Sequence, residues 1–127
     1  MVINKLKIDG ICLFEQFAAQ LDNKQRKSMN FILSRIEYIS HNPVELDRKI
    51  CERIYERKGG MAIGCVFKEK DLRVYCLYSL NAISIVMGGL KQNSANDTRH
   101  LIEIASEIRQ NQANTEKVVV ILKSMTL

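Results

Sequence analysis

The apolar residues of this chain change their period at its single proline, Pro43, and that change decides the fold class. From Phe14 to Ile39 they recur every three to four residues; from Met61 to Tyr78, past the proline, they alternate. A 3.6-residue period buries one stripe of a helix, whereas a period of 2 buries one face of a strand, and neither pattern suits the other conformation. Helices followed by several strands in succession predict an α+β protein.

Val2 to Ile8 alternates and opens the chain as a strand, with Val2, Leu6 and Ile8 on one side and Lys5 and Lys7 on the other. Phe14, Phe17, Ala18 and Leu21 then fall at i, i+3, i+4 and i+7, the stripe of an amphipathic helix. Asp22 followed by Gln25 reads as a capping box that starts a second helix. That helix carries Met29, Ile32, Leu33, Ile36 and Ile39 and must stop near His41-Asn42, because the residue before a proline is pushed out of the α region. Two helices joined by a tight polar turn make an αα-hairpin.

Past Pro43, Ile50 to Tyr55 reads as a short strand or a helix-to-strand transition, and Gly59-Gly60 as a turn. Met61, Ile63, Cys65 and Phe67 alternate with Ala62, Gly64, Val66 and Lys68. Glu69-Lys70-Asp71 turns the chain into Leu72, Val74, Cys76 and Tyr78, which alternate with Arg73, Tyr75 and Leu77. Ser79-Leu80-Asn81 turns it again into Ala82 to Met87, an apolar run suited to a central strand. These three make an antiparallel meander. Asn93 to Asn96 offers N-caps to a third helix with a Leu101, Ile104, Ala105 and Ile108 stripe. The β-branched run Val118 to Leu122 favours a further strand, with a continuation of the third helix as the alternative.

The expected architecture is an antiparallel sheet of about four strands, its one face packed against the N-terminal αα-hairpin and a C-terminal helix. At 127 residues the chain reads as one domain over 1–110 with a tail over 111–127. The tail is expected to complete the sheet edge, fill a partner groove or pair with a second copy.

Composition restricts function more than it assigns it. With 46% hydrophobic and 26% charged residues, the sequence is that of a folded globular chain. Met1 to Lys5 lacks the apolar core of a targeting segment, and no run approaches the roughly 20 apolar residues that span a bilayer, so a cytoplasmic chain without membrane contact is expected. Cys12, Cys51, Cys65 and Cys76 lack the CxxC spacing of a metal or redox motif and read as buried thiols in a reducing compartment. His41 and His100 stand alone, so neither a metal nor any other cofactor is expected.

The net charge is +5, of which +3 lies between residues 44 and 92. There Lys68, Lys70, Arg73 and Lys91 punctuate otherwise apolar strands, and Gly88-Gly89 precedes Lys91 as a bulge or a place of close backbone approach. A strand that packs on a core keeps charge off its pleats, so a row of cations there suggests a surface that meets phosphate. The plainer reading of Arg73 is a solvent-facing residue paired with Glu69 or Asp71. Likewise Lys68 and Lys70 flank a turn, and Arg57-Lys58 reads as a solvated turn.

Four segments, in this order, resemble the RelE/HigB superfamily of bacterial type II toxins. Leu13 to Arg26 looks like the family's first helix and helix–helix turn. Leu72-Arg73-Val74-Tyr75-Cys76 is similar to its arginine-bearing strand, and Ile83 to Gln92 to the strand after it. Thr98 to Arg109 fits the closing helix, so the resemblance covers residues 2–110. It implies a RelE-like fold and a toxin held in check by a cognate antitoxin, free as a monomer or dimer. The activity it implies is ribosome-dependent, metal-independent cleavage of messenger RNA, in which a ribose 2′-hydroxyl attacks the adjacent phosphate. Carried over by position, Arg73, Lys91 and Lys68 are the catalytic cations; Lys70, Arg57 and Tyr75 are the candidate RNA-binding residues beside them. The chain departs from the family at Gln92, where active members often carry a second basic residue. The family's late Tyr or His has no counterpart beyond residue 92, His100 being nearest. Those departures keep two other readings open: a non-catalytic protein of the same scaffold with a gyrase-type target, and a degenerate phage-derived homologue.

Overall fold

The Asp22 carboxylate accepts from the Gln25 backbone N–H at 2.8 Å, and the Gln25 side chain accepts from the Asp22 N–H at 3.0 Å, closing the capping box. The computed structural model describes residues 1–42, 52–56, 63–78, 82–110 and 118–122. In chain order they form β1 (Val2–Ile8), α1 (Leu13–Ala18), α2 (Asn23–His41), β2 (Glu52–Glu56), β3 (Ile63–Glu69), β4 (Leu72–Tyr78), β5 (Ala82–Leu90), α3 (Ser94–Gln110) and β6 (Val118–Leu122). A 3₁₀ turn over Lys91–Asn93 joins β5 to α3. The Gly59-Gly60 and Ser79-Leu80-Asn81 turns, Arg57 and Cys51 lie outside the described residues.

The sheet corrects the expectation of a purely antiparallel set of about four strands. It is mixed and six-stranded, in the order β2-β3-β4-β5-β1-β6. The β3-β4-β5 meander is antiparallel as expected. β1, however, runs parallel to β5, with Val2 opposite Ala82 and Lys5 opposite Ile85, and antiparallel to β6. Pairing β1 with β5 joins segments about 80 residues apart in sequence, and no local pattern encodes such a long-range pairing.

Helices cover both faces of the sheet, not one. Phe14 of α1 and Met29, Ile32, Leu33, Ile36 and Ile39 of α2 pack on Cys65, Phe67, Leu72, Val74, Cys76, Ile83 and Ile85. Leu101 and Ile104 of α3 pack on the opposite face, against Leu6, Val66, Tyr75, Leu77, Val86 and Met87. The reason lies in β4. All seven of its residues are buried, so a helix on one side only would leave Tyr75 and Leu77 in water.

A register shift between Tyr75 and Cys76 marks a bulge at Val86 of β5, since Tyr75 lies opposite Met87 and Cys76 opposite Ile85. The extra residue resets the alternation of β5. Val86 and Met87 both belong to the α3 side, and Gly88 and Gly89 beyond them take opposite faces.

Those two glycines let both helix layers approach. A methyl at Gly88 would run into the Phe17 ring, and one at Gly89 into the Asp97 carboxylate. The bulge and the glycine pair are thus separate features, and helix packing accounts for the glycines.

Candidate functional site

The α3 side of the meander holds a cleft of about 300 Å3, lined by Val66, Lys68, Arg73, Tyr75, Lys91, Ser94 and Thr98. Strand register assembles it. Lys68 lies opposite Arg73, which lies opposite Gly89, so one row crosses three strands on one face. Val66 and Tyr75 form the neighbouring row. The hairpin between β3 and β4 is a two-residue turn at Lys70-Asp71, because Glu69 pairs with Leu72. That pairing fixes the phase that puts Lys68 and Arg73 side by side.

Arg73 is buried, at 8% exposure. Its Nη1 donates to the carbonyl oxygens of Lys70 at 2.8 Å and Leu72 at 2.9 Å. Among the described residues no carboxylate pairs with it. Glu69, one partner the sequence suggests, points to the other face and meets Arg35 at 3.7 Å. A guanidinium held through one nitrogen, without a counter-charge, in a cleft beside two lysines is set to receive an anion.

Lys91 joins the site through the end of β5. Its backbone N–H donates to the Asp71 carbonyl at 2.8 Å, tying the 3₁₀ turn to the β3–β4 hairpin. The Lys68 and Lys91 side chains are solvent-exposed at the cleft rim. Lys70 occupies the hairpin tip with φ at 51°, in the left-handed region, exposed and outside the lining.

Tyr75 is 1% exposed, and the Thr98 side chain is the hydrogen-bonding group beside its hydroxyl, short of full hydrogen-bond geometry. The Asp97 Oδ2, over Gly89 and near the Tyr75 ring, is buried and has no partner among the described residues. A buried polar atom left unsatisfied costs roughly 1–3 kcal/mol. Burial raises the Tyr75 phenol, the Asp97 carboxylate raises it further, and Arg73 and Thr98 oppose. Burial also raises the Asp97 carboxyl, against the pull of His100. Titratable groups displaced toward neutrality beside fixed cations can donate and accept protons.

Arg73, Lys68, Lys91 and Tyr75 therefore share one cleft; Lys70 borders it. Ser94, Thr98 and Asp97 are absent from the sequence reading, which treats Asn93 to Asn96 as helix caps. The signal that could have found them is Gly89 itself: a residue without a side chain on a buried face implies a group pressed against it from α3.

The chain matches no protein-family model, no curated protein and no solved structure. Among the described residues, no helix is long and apolar enough to cross a membrane.

Proposed function

We propose that the protein is the toxin of a type II toxin–antitoxin system, with a RelE-like fold and endoribonuclease activity on messenger RNA at the ribosome. The observation that carries this reading is the buried Arg73 guanidinium, without a carboxylate partner among the described residues, in one cleft with Lys68, Lys91 and Tyr75. When the ribose 2′-oxygen attacks phosphorus, negative charge builds on the phosphoryl oxygens. Cations fixed beforehand stabilise that charge without reorganising. Arg73 takes the phosphoryl oxygens, and Lys91 and Lys68 neutralise the flanking phosphates.

Tyr75 takes the place of the late Tyr or His that this chain lacks. The 2′-hydroxyl proton passes to solvent in the open cleft, and the Tyr75 phenol protonates the departing 5′-oxygen beside Arg73. The products are a 2′,3′-cyclic phosphate and a 5′-hydroxyl, and the Tyr75 phenolate regains its proton from solvent. A cognate antitoxin would silence this chemistry by covering the cleft.

Expression in bacteria with sequencing of RNA ends tests the reading. Growth arrest with cleavage inside translated codons, relieved by Arg73→Ala, is the expected result. Arrest with intact messenger RNA and DNA damage would select the gyrase-type binding protein, and absence of any effect the degenerate homologue.

A further inference from the structure

Outside the cleft, the strongest unexplained surface is on α2. At 3.6 residues per turn, Lys24, Lys27, Phe31, Arg35 and Tyr38 fall within an arc of about 80°, turned away from the buried Ile32, Leu33 and Ile36. Phe31 is 47% and Tyr38 51% exposed, and the Arg35 guanidinium lies 4.3 Å from the Phe31 ring centroid. Glu37, the only acid within α2, sits about a third of a turn away from the stripe. Local helix physics does not ask for this arrangement. Lys24 and Lys27 oppose the helix dipole near its N-terminus, and Phe31 and Tyr38 keep apolar surface in water.

The stripe also reaches the hairpin that carries Lys68. Arg35 Nη1 donates to the Lys68 carbonyl at 3.1 Å, and Arg35 Nη2 lies 3.7 Å from Glu69, so α2 is clamped to the β3–β4 hairpin. The cleft opens on the α3 face and α2 covers the other, so a strand passing from one to the other rounds the β3–β4 hairpin, whose end carries Lys68 and the exposed Lys70.

We infer that the outward stripe of α2 is a track for single-stranded RNA emerging from the cleft, its bases stacking on Phe31 and Tyr38 and its phosphates meeting Lys24, Lys27 and Arg35. The inference rests on the ribonuclease reading of the cleft. Stacking rings interleaved with cations is the chemistry that holds single strands without reading their sequence. The stacked Arg35 arranges the Phe31 ring before RNA arrives.

Fluorescence anisotropy with 2′-O-methyl oligouridines, whose blocked 2′-oxygen prevents cleavage, tests this. One oligonucleotide of about four and one of about twelve nucleotides distinguish the cleft alone from cleft plus track. The Phe31→Ala/Tyr38→Ala protein is expected to lose about tenfold or more in affinity for the longer strand and none for the shorter. Phe31→Trp keeps the longer strand bound. Lys24→Ala/Lys27→Ala, at exposed positions where folding is not at stake, should lower the slope of log affinity against log salt by about 0.7 per lost phosphate contact. Unchanged long-strand affinity in the aromatic variant, with an unchanged salt slope in the lysine variant, overturns the track and leaves the stripe to an acidic protein partner. A short strand that binds Arg73→Ala as tightly as wild type would instead overturn the cleft reading, a separate outcome.

Discussion

Lys68 stands directly opposite Arg73 across the β3–β4 ladder, two like charges on one face of a sheet. Like charges so placed repel, and burying one of them adds a desolvation cost. A phosphate seated between the two would draw on both cations at once.

Replacing Arg73 should therefore separate stability from activity. Arg73→Met keeps the bulk of the side chain but takes a donor from the Lys70 carbonyl and from the buried Leu72 carbonyl. Urea denaturation should place it about 1–2 kcal/mol below wild type. RNA cleavage should fall by about 100-fold or more, the usual loss when one fixed donor to a developing oxyanion is removed.

Gly88 and Gly89 face opposite helix layers, so alanine at either forces overpacking. Gly88→Ala displaces the Phe17 ring and Gly89→Ala the Asp97 carboxylate, each expected to cost about 1–3 kcal/mol. Gly89→Ala combined with Asp97→Ala should lose less stability than the two single changes predict together, because they share one contact. Additivity in that double-mutant cycle would contradict the packing assigned to Gly89.

Asp97 sets a pH dependence of known sign. Burial raises its carboxyl in the folded state, so the native protein binds more protons than the unfolded chain between the ordinary aspartate value and the raised one. Its contribution to stability is thus greatest below that window and is lost as pH rises through the folded value. Asp97→Asn should be more stable than wild type at neutral pH, and the gap should close under acid, measured by urea melts across pH.

The capping box offers a local check. Asp22→Ala removes the acceptor for the Gln25 N–H and should cost about 1 kcal/mol, visible as a lower urea midpoint with unchanged slope.

The helices were legible because their signals are local: the Asp22–Gln25 box and the stripe ending at His41 sit where the sequence places them. So was the alternation within β3 and within β4, but not the phase between them, which the Glu69–Leu72 pairing settles by setting Lys68 opposite Arg73. What escaped was long-range. The parallel β1–β5 pairing, the α3 layer on the second face and the Val86 bulge depend on contacts between distant segments. The site divides the same way. Arg73, Lys68, Lys91 and Tyr75 stand out as charges and a ring on strands, while Asp97 looks like any acid in a first helical turn until Gly89 brings it against the sheet.

The most direct measurement is mass spectrometry of RNA ends after purified protein acts on messenger RNA in a translating-ribosome reaction. The cleft chemistry predicts new 2′,3′-cyclic phosphate ends with wild type and their loss with Arg73→Ala and Lys91→Ala. Intact messenger RNA with wild type, or the same ends at the same rate with both variants, would contradict it.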